Sequence, residues 1–489
     1  MRELRDYQQR ALTNLRQSLK SGHRRPMLLL PTGGGKTLIS AAAVQSALDK
    51  GNRVAFCVPS ISLINQTVDA FREEGIHDIG VMQADHPGAD AAARVQVISE
   101  ATLLRRARPD VDLVFVDEAH QVHKSILAWM ADKPDLPFIG LSATPWTKGL
   151  GKYYDDLIVA ARTQQLIDEG HLAPFRAYAP THPDLTGVRD VGGDYHEGQL
   201  AEAMNKAPLR ADVVTNYLSK GENRPALCFG VNRAHAYQLY QDFERAGVPA
   251  AYVDAHTDIK AREDIKRAFH DGDIKVVCNI GTLTTGIDWD VRCLILARPT
   301  KSEALYQQII GRALRMAPGK EDALIFDHSD TTLRLGFVTD IHHDTLDTGN
   351  RKQSSGGKRE PAIKLPKECP SCHFVKPAGV HACPECGFTP KRRSDVEVVD
   401  GNLVQLSGKT KPATMEVKQH WYGALIWIAR ERRYKAGWAA RKYQDKFGVW
   451  PANSMPDTAE MPTAEVRSWV KSQQIAWARV QKKGQSDAA

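Results

Sequence analysis

Two tandem, doubly wound α/β lobes with parallel sheets, then a four-cysteine module and a helical C-terminal module, are the architecture this sequence predicts. Three observations carry it. Short apolar runs alternate with amphipathic segments in two successive series, a Ser/Gly-containing stretch ends the second series, and two Cys-x-x-Cys pairs follow at once. A chain of 489 residues also exceeds what one hydrophobic core holds, and its length alone suggests about three domains.

In the first series the apolar runs are Met27-Leu28-Leu29-Leu30, Val54-Ala55-Phe56-Cys57-Val58, Val95-Gln96-Val97-Ile98, Leu113-Val114-Phe115-Val116 and Phe138-Ile139-Gly140-Leu141. Uninterrupted apolar strands separated by helical patterns imply a parallel sheet covered on both faces. This lobe is assigned to residues 1–171. After a polar, glycine-containing stretch near 180–198 the pattern recurs in Ala226-Leu227-Cys228-Phe229, Ala250-Ala251-Tyr252-Val253, Lys275-Val276-Val277-Cys278, Cys293-Leu294-Ile295-Leu296 and Ala323-Leu324-Ile325-Phe326. The second lobe is assigned to 172–345. Residues 346–365, with Ser354-Ser355-Gly356-Gly357-Lys358, cannot bury much and read as a flexible linker. The cysteine module takes 366–390 and a basic helical tail 391–489. In that tail an amphipathic pattern from Glu416 to Lys446 interleaves Trp421, Leu425, Trp427, Ile428 and Trp438 with Arg430, Arg432, Arg433, Lys435, Arg441 and Lys442. Most of these tryptophans are expected in a small core, with base stacking the lesser alternative.

The composition, 42% hydrophobic and 25% charged, is that of a folded soluble protein. No run approaches the ~20 apolar residues a membrane span needs, and the polar start Met1-Arg2-Glu3-Leu4-Arg5-Asp6 lacks the apolar core of a secretory signal. A cytoplasmic location with no membrane partner is expected. The net charge of +7 is unevenly spread: residues 351–489 hold 25 Lys or Arg against 13 Asp or Glu. Such a region suits a phosphate backbone, whose counterions it would release, or serves as a solvated tail.

The ATP site is read from Leu28-Leu29-Leu30-Pro31-Thr32-Gly33-Gly34-Gly35-Lys36-Thr37-Leu38, a strand, a glycine loop and the start of a helix. Glycines let successive N–H groups close on phosphates, Lys36 reaches the β- and γ-phosphates, and the Thr37 hydroxyl holds magnesium. Leu30 stands where glycine or alanine usually opens such a loop. Downstream, the run Leu113-Val114-Phe115-Val116 ends in Asp117-Glu118-Ala119-His120. A carboxylate pair at the carboxyl end of a buried strand lets Asp117 hold magnesium while Glu118 polarises the attacking water.

With Ser142-Ala143-Thr144 after the next strand, these segments resemble motifs I, II and III of superfamily 2 helicases with a DEAH-type box. The resemblance covers some 340 residues and implies two RecA-like lobes. Arg5-Asp6-Tyr7-Gln8 is similar to the adenine-reading element, implying Gln8 on the base edge with Tyr7 nearby. Val58-Pro59-Ser60, with Gln66, resembles the strand-contacting motif Ia. Gly281-Thr282-Leu283-Thr284-Thr285-Gly286-Ile287-Asp288 looks like motif V, implying nucleotide contacts from Gly286 and Asp288. Gln308-Ile309-Ile310-Gly311-Arg312-Ala313-Leu314-Arg315 looks like motif VI. Arg312 and Arg315, three apart on one helix face, would supply the cations a departing γ-phosphate needs when the lobes close.

Cys369-Pro-Ser-Cys372 and Cys383-Pro-Glu-Cys386 have the spacing of a structural, four-thiolate zinc site, complete without His373 or His381. The single cysteines Cys57, Cys228, Cys278 and Cys293 sit in apolar runs and read as small buried hydrophobes. Superfamily 2 lobes followed by a zinc ribbon and the segment Trp438…Lys442-Tyr443…Lys446-Phe447-Gly448-Val449-Trp450-Pro451 resemble the RadD family of bacterial DNA-repair ATPases and phage relatives. That resemblance implies an ATP-dependent helicase or translocase on single-stranded or forked DNA, acting in repair, recombination or replication, with a single-strand-binding or replication protein as a further partner. An RNA helicase, or an ATP-gated scaffold that separates no strands, are the alternatives. A motor with its own nuclease is disfavoured, because the sequence offers no acidic metal-nuclease cluster.

Overall fold

The computed structural model describes residues 2–83, 86–283, 289–349, 365–390 and 413–474. They divide into two compact units, Met1–Arg392 and Arg393–Ala489. Among the described residues, the first sheet has seven strands: β1 (Pro26–Leu29), β2 (Val54–Val58), β3 (Ile79–Val81), β4 (Val95–Ser99), β5 (Leu113–Val116), β6 (Phe138–Ser142) and β7 (Asp156–Val159). They lie in the order β3-β4-β2-β5-β6-β1-β7, and every pairing is parallel. Parallel strands need crossover helices, which bury both faces of the sheet. Accordingly β1, β2, β4 and β6 are buried along their whole length. Because β5, β6 and β1 are neighbours and point the same way, the loops leaving their carboxyl ends meet at one edge of the sheet, where open α/β sheets bind ligands. Those loops carry the glycine loop, Asp117–His120 and Ser142–Thr144.

The second lobe repeats the plan with β8 (Phe175–Tyr178), β11 (Ala226–Phe229), β12 (Ala250–Val253), β13 (Val276–Asn279), β14 (Cys293–Leu296) and β15 (Ala323–Asp327). Their order is β12-β13-β11-β14-β15-β8, again wholly parallel. Two tandem RecA-like lobes are thus the fold. The polar stretch before β11 holds a hairpin, β9 (Asp190–Val191) with β10 (Asp194–Tyr195). Gly192 and Gly193 turn it with φ of +62° and +89°, the left-handed pair a two-residue hairpin requires. No helix among the described residues is long and apolar enough to cross a membrane.

After β15 the chain returns to the first lobe. Gly149 and Gly151 donate their N–H groups to the carboxylate and carbonyl of Asp347 at 2.9 and 2.8 Å, Arg162 pairs with Asp344 at 2.7 Å, and the Trp146 and His343 rings lie 5.0 Å apart. Residues 350–364 of the expected linker, and 391–412 of the tail, lie outside the described residues.

The cysteine module is built on a small hairpin, β16 (Lys367–Glu368) with β17 (Val375–Lys376), and it is joined to the edge of the second sheet. Tyr178 of β8 forms an antiparallel bridge with Phe374, and Ala179 N donates to His373 O at 2.9 Å. The Tyr178 hydroxyl donates to Glu385 at 2.7 Å, and Lys220 donates to the Cys372 carbonyl at 2.6 Å. An edge strand that would otherwise present unpaired N–H and C=O groups is covered in this way.

In the second unit, helices Met415–Glu431 and Trp438–Phe447 and a helical segment at 464–474 enclose Trp421, Leu425, Ile428, Tyr443, Val466 and Val470. Trp421 is 4% exposed and meets Phe447 and Trp469 edge to face, so it serves the core, as its spacing predicts. Trp450, 58% exposed, does not.

Tyr178 is 5% exposed and packs on both Phe326 and Phe374. Tyr178→Ala is therefore expected to destabilise the fold by roughly 3–5 kcal/mol, read as a lowered urea midpoint. A loss under about 1 kcal/mol, the range of an ordinary surface change, would mean that the module is not integral to the second lobe.

Candidate active site

The glycine loop owes its shape to two left-handed residues, Gly33 (φ +86°) and Gly35 (φ +84°). Helix Lys36–Leu48 begins at once and has no side-chain N-cap, which leaves its first N–H groups directed at the loop. Leu30 is fully buried, and its N–H continues the β1–β6 ladder to Ser142 O at 3.1 Å. A Cβ on Gly34 would lie 3.0 Å from Leu30 Cγ and from Pro31 O. The loop therefore tolerates leucine at its opening position only because glycine follows at 34.

Tyr7 and Gln8, expected beside the adenine, hold the loop's backbone. The Tyr7 hydroxyl donates to Gly34 O at 2.7 Å and the Gln8 amide to the same oxygen at 3.3 Å, while Arg5 N donates to Gln8 Oε1 at 3.0 Å. Gln8 is 1% exposed, and a Cβ on Gly35 would fall 2.4 Å from its Nε2. Thr37 is exposed in the first helical turn, and Gln66 is exposed on helix Ser62–Glu73.

Beyond β5 the two carboxylates share one cation. Lys36 Nζ lies 3.0 Å from Asp117 Oδ1 and 2.6 Å from Glu118 Oε1. Burial works against the Lys36 charge, but the two acids outweigh it and hold the ammonium above the ordinary lysine range. Burial also raises the Asp117 carboxyl, with Glu118 adding to it against the pull of Lys36. For Glu118 burial is overcome by Lys36, His120 and Arg312, and its carboxyl stays below the usual range. Glu118 has a φ of +47°, a left-handed conformation that costs a non-glycine residue roughly 1–3 kcal/mol and is characteristic of functional sites. Its Oε2 accepts no hydrogen bond among the described residues and lies 3.3 Å from His120 Nδ1.

His120 joins three segments. Nδ1 meets Ser142 Oγ at 2.9 Å, Nε2 meets the Gln308 amide nitrogen at 3.4 Å, and its carbonyl accepts from Thr147 at 2.6 Å. Burial holds its pKa below the ordinary histidine value. The neutral ring then accepts at one nitrogen and donates at the other.

The second lobe reaches this centre through helix Glu303–Ala313, capped by the Ser302 side chain. A Cβ on Gly311 would lie 2.6 Å from Thr32 Cβ, and one on Gly33 would lie 2.9 Å from Leu172 and 3.1 Å from Arg315 Cγ. Arg312 is buried. The structure thus brings together Thr32, the loop glycines, Lys36, Asp117, Glu118, His120, Arg312 and Arg315. Gly286 and Asp288 lie outside the described residues. Gln308 opens the motif VI string but was assigned no role from sequence, and its contact with His120 is legible only in three dimensions.

These residues fit ATP and magnesium: a glycine cradle with no room for side chains, an ammonium set between two carboxylates, and a buried carboxylate oxygen without a hydrogen-bond donor.

The four cysteines form a separate centre, their sulfurs all within 4.8 Å of one another. Cys369 and Cys386 Sγ are 3.8 Å apart, Cys372 and Cys383 Sγ 3.7 Å. A tetrahedron with zinc–sulfur bonds of ~2.3 Å has edges of about 3.8 Å. The two halves repeat each other: Cys369 N donates to Phe374 O and His373 N to Cys369 O, while Cys383 N donates to Phe388 O and Gly387 N to Cys383 O. His373 and Gly387, at matching positions, both have positive φ. The His373 ring is engaged with Glu368 at 2.5 Å, apart from the thiolates.

Residues 1–147 match the family described as the res subunit of type III restriction enzymes, and 210–317 match the helicase conserved C-terminal domain. A 51.5 kDa protein of a Lactococcus phage is 29% identical over 81% of this chain and 87% of its own length. A Saccharomyces cerevisiae protein described as an ATP-dependent helicase, IRC3, is 29% identical over 66% of this chain and 51% of its own. The ATP-dependent DNA helicase uvsW of Enterobacteria phage T4 is 23% identical over 63% and 66% respectively. The chain thus spans most of one phage relative but about half of the yeast one.

Gly311→Ala tests the lobe contact. The added methyl collides with Thr32, and displacing a catalytic helix by about 1 Å can cost about a hundredfold in rate. Steady-state ATP turnover should fall by ten- to a hundredfold with the unfolding midpoint unchanged. Wild-type turnover would show that this contact is not part of the working state.

Proposed function

Since the chain is an ATP-hydrolysing helicase of superfamily 2, we propose that it couples hydrolysis to movement along, or unwinding of, single-stranded or forked DNA. The observation that carries the reading is the approach of Arg315 to Gly33 and of Arg312 to Glu118 across the two lobes. Magnesium-bound ATP supplies the reactive γ-phosphate when present. Lys36 and the N–H groups around Gly33–Gly35 take the phosphates, and Thr37 and Asp117 hold the metal. Lys36 leaves the carboxylates for the phosphates, which frees Glu118 to orient and deprotonate the attacking water. Arg312 and Arg315 add positive charge where the γ-phosphate leaves. Through Gln308, His120 and Ser142, the state of the cleft reaches the end of β6 and the second lobe together. Closing and opening of the lobes then moves a strand held at exposed positions such as Gln66.

DNA is preferred to RNA because the first lobe matches a restriction-enzyme family and one relative is named a DNA helicase. The cationic C-terminal third suits a phosphate backbone. A RadD-like role in repair, recombination or replication, with a single-strand-binding or replication protein as partner, is consistent with zinc held by Cys369, Cys372, Cys383 and Cys386 beside the second lobe.

Two experiments test this. ATP turnover is measured without nucleic acid and with single-stranded DNA, forked DNA or single-stranded RNA, with Glu118→Gln as the inactive control. Stimulation by DNA above RNA is expected. A preference for RNA would make the chain an RNA helicase, and turnover that no nucleic acid stimulates would favour the ATP-gated scaffold. For the metal, Cys383→Ser should abolish stoichiometric zinc and lower the unfolding midpoint while part of the basal turnover survives. Unaltered zinc content would exclude the four-thiolate site.

A further inference from the structure

The turn after the motif VI helix buries a lysine at the backbone that carries the two arginines. Helix Glu303–Ala313 ends at Leu314, and its last carbonyls need donors from outside the helix. Lys320, 6% exposed, supplies them. Its Nζ donates to Ala313 O at 2.5 Å, to Arg315 O at 2.8 Å and to Val291 O at 2.7 Å. An ammonium has three protons, and all three are committed to main-chain oxygens. Between the two motif VI carbonyls, Leu314 O accepts from Ala173 N at 2.7 Å, and Arg315 forms an antiparallel bridge with Leu172. Every carbonyl from 313 to 315 is therefore held, alternately by Lys320 and by the opening residues of the second lobe. The turn that delivers Lys320 is itself fixed: Arg292 donates to Pro318 O at 2.7 Å and Gly319 O at 3.1 Å and pairs with Asp290 at 2.8 Å.

We propose that Lys320 is a positioning residue for ATP hydrolysis: as an ammonium it fixes the backbone from which Arg312 and Arg315 face the phosphate loop, and turnover depends on its third proton. This rests on the reading that those arginines meet the γ-phosphate. A neutral amine has two N–H groups and leaves one of the three carbonyls without a donor, relaxing the segment that sets the arginines' reach. The charged groups around it are Asp290 and Asp322, which favour the ammonium, and Arg292 and Arg224, which oppose it. Burial is the largest influence and brings its pKa from the ordinary 10.5 to about 8. The titration thus falls within the range where enzymes are assayed.

Linkage gives the stability effect the opposite sign. A folded pKa below the unfolded one means the unfolded chain binds more protons between those values, so this group's contribution to stability rises with pH through that window. Loss of activity without loss of stability is the signature, which a merely structural lysine would not produce.

The test measures kcat and KM for ATP against pH, from about 6.5 to 9.5, on the full chain, with thermal midpoints alongside. These limits span the step near 8. The proteins are the wild type, Lys320→Met, Lys320→Arg, Arg312→Ala and Arg315→Ala. Wild-type kcat should fall as pH rises through about 8 while the midpoint holds. Lys320→Met should lower kcat about ten- to a hundredfold, with KM within about twofold, and flatten that limb, while Lys320→Arg recovers part of the rate. Wild-type kcat in Lys320→Met, or a wild-type profile flat through pH 8, overturns the inference. Should Lys320→Met fail to fold, the wild-type profile decides alone. Full activity in both arginine variants would overturn the arginine reading itself, whereas inactive arginine variants beside a fully active Lys320→Met would sink only the role of Lys320.

Discussion

One ammonium between two carboxylates is the interaction around which the first lobe is arranged. Asp117 and Glu118 follow a buried strand, where unpaired charge costs several kcal/mol per ion, and Lys36 compensates both from the opposite loop. The arrangement requires β1 and β5 to end at the same level, which their places on either side of β6 in a parallel sheet secure. It also requires the glycine loop to hold its shape while the lysine changes partners. Tyr7 and Gln8 provide that by hydrogen-bonding Gly34 O from the N-terminal helix. Phosphates that drew Lys36 away would leave the acids exposed to each other, and Asp117 would then be placed to hold a magnesium ion whose charge would neutralise them.

The second lobe meets this centre through backbone as much as through side chains. Gly311 sits against Thr32 and Gly33 against Leu172 and Arg315, separations at which no Cβ fits. Close approach of this kind makes the contact stereospecific: a small rotation of either lobe breaks several interactions together, because packed interfaces rearrange in discrete steps. His120 is placed to register that change, since Ser142 and Gln308 face its two nitrogens from different lobes. The return of the chain at Asp344 and Asp347 adds a tether beside the same loops.

Central strands were legible because both faces are buried and the sequence shows unbroken apolar runs. Of the edge strands, β12 was legible as an apolar run, but β3, β7 and β8 were not. β8 reads Phe175-Arg176-Ala177-Tyr178, and Arg176 pairs with Asp322 and Glu222. β7 opens with Asp156, and β3 is three residues long with Gly80 at its centre. The phosphate loop, the acidic pair and the cysteine knuckles were legible because their chemistry fixes residue type and spacing. Tyr7 and Gln8 were found by resemblance, but their grip on Gly34 O depends on where a helix lands. The same holds for the docking of the cysteine module. Its docking on β8 combines main-chain pairing, which leaves no trace in residue type, with side-chain contacts of Tyr178 and Arg176 to Glu385 that only the fold brings together.

Lys36 and Lys320 show how one residue type is set to two tasks by what surrounds it. Lys36 faces full negative charges, which hold its ammonium above the ordinary lysine range against burial. Its ammonium can exchange carboxylate for phosphate because both are anions of similar reach. Lys320 faces carbonyl dipoles, which satisfy its geometry but compensate its buried charge only in part, so its proton is loosely held. A third donor that could not leave would require a carboxylate there, and a carboxylate beside Arg315 would compete for the guanidinium that the phosphate loop needs. Neutral acceptors at 313, 315 and 291 hold the lysine without placing a further anion beside Arg315. On this argument the weak hold on the Lys320 proton follows from keeping a further anion away from the turn that carries the motif VI arginines.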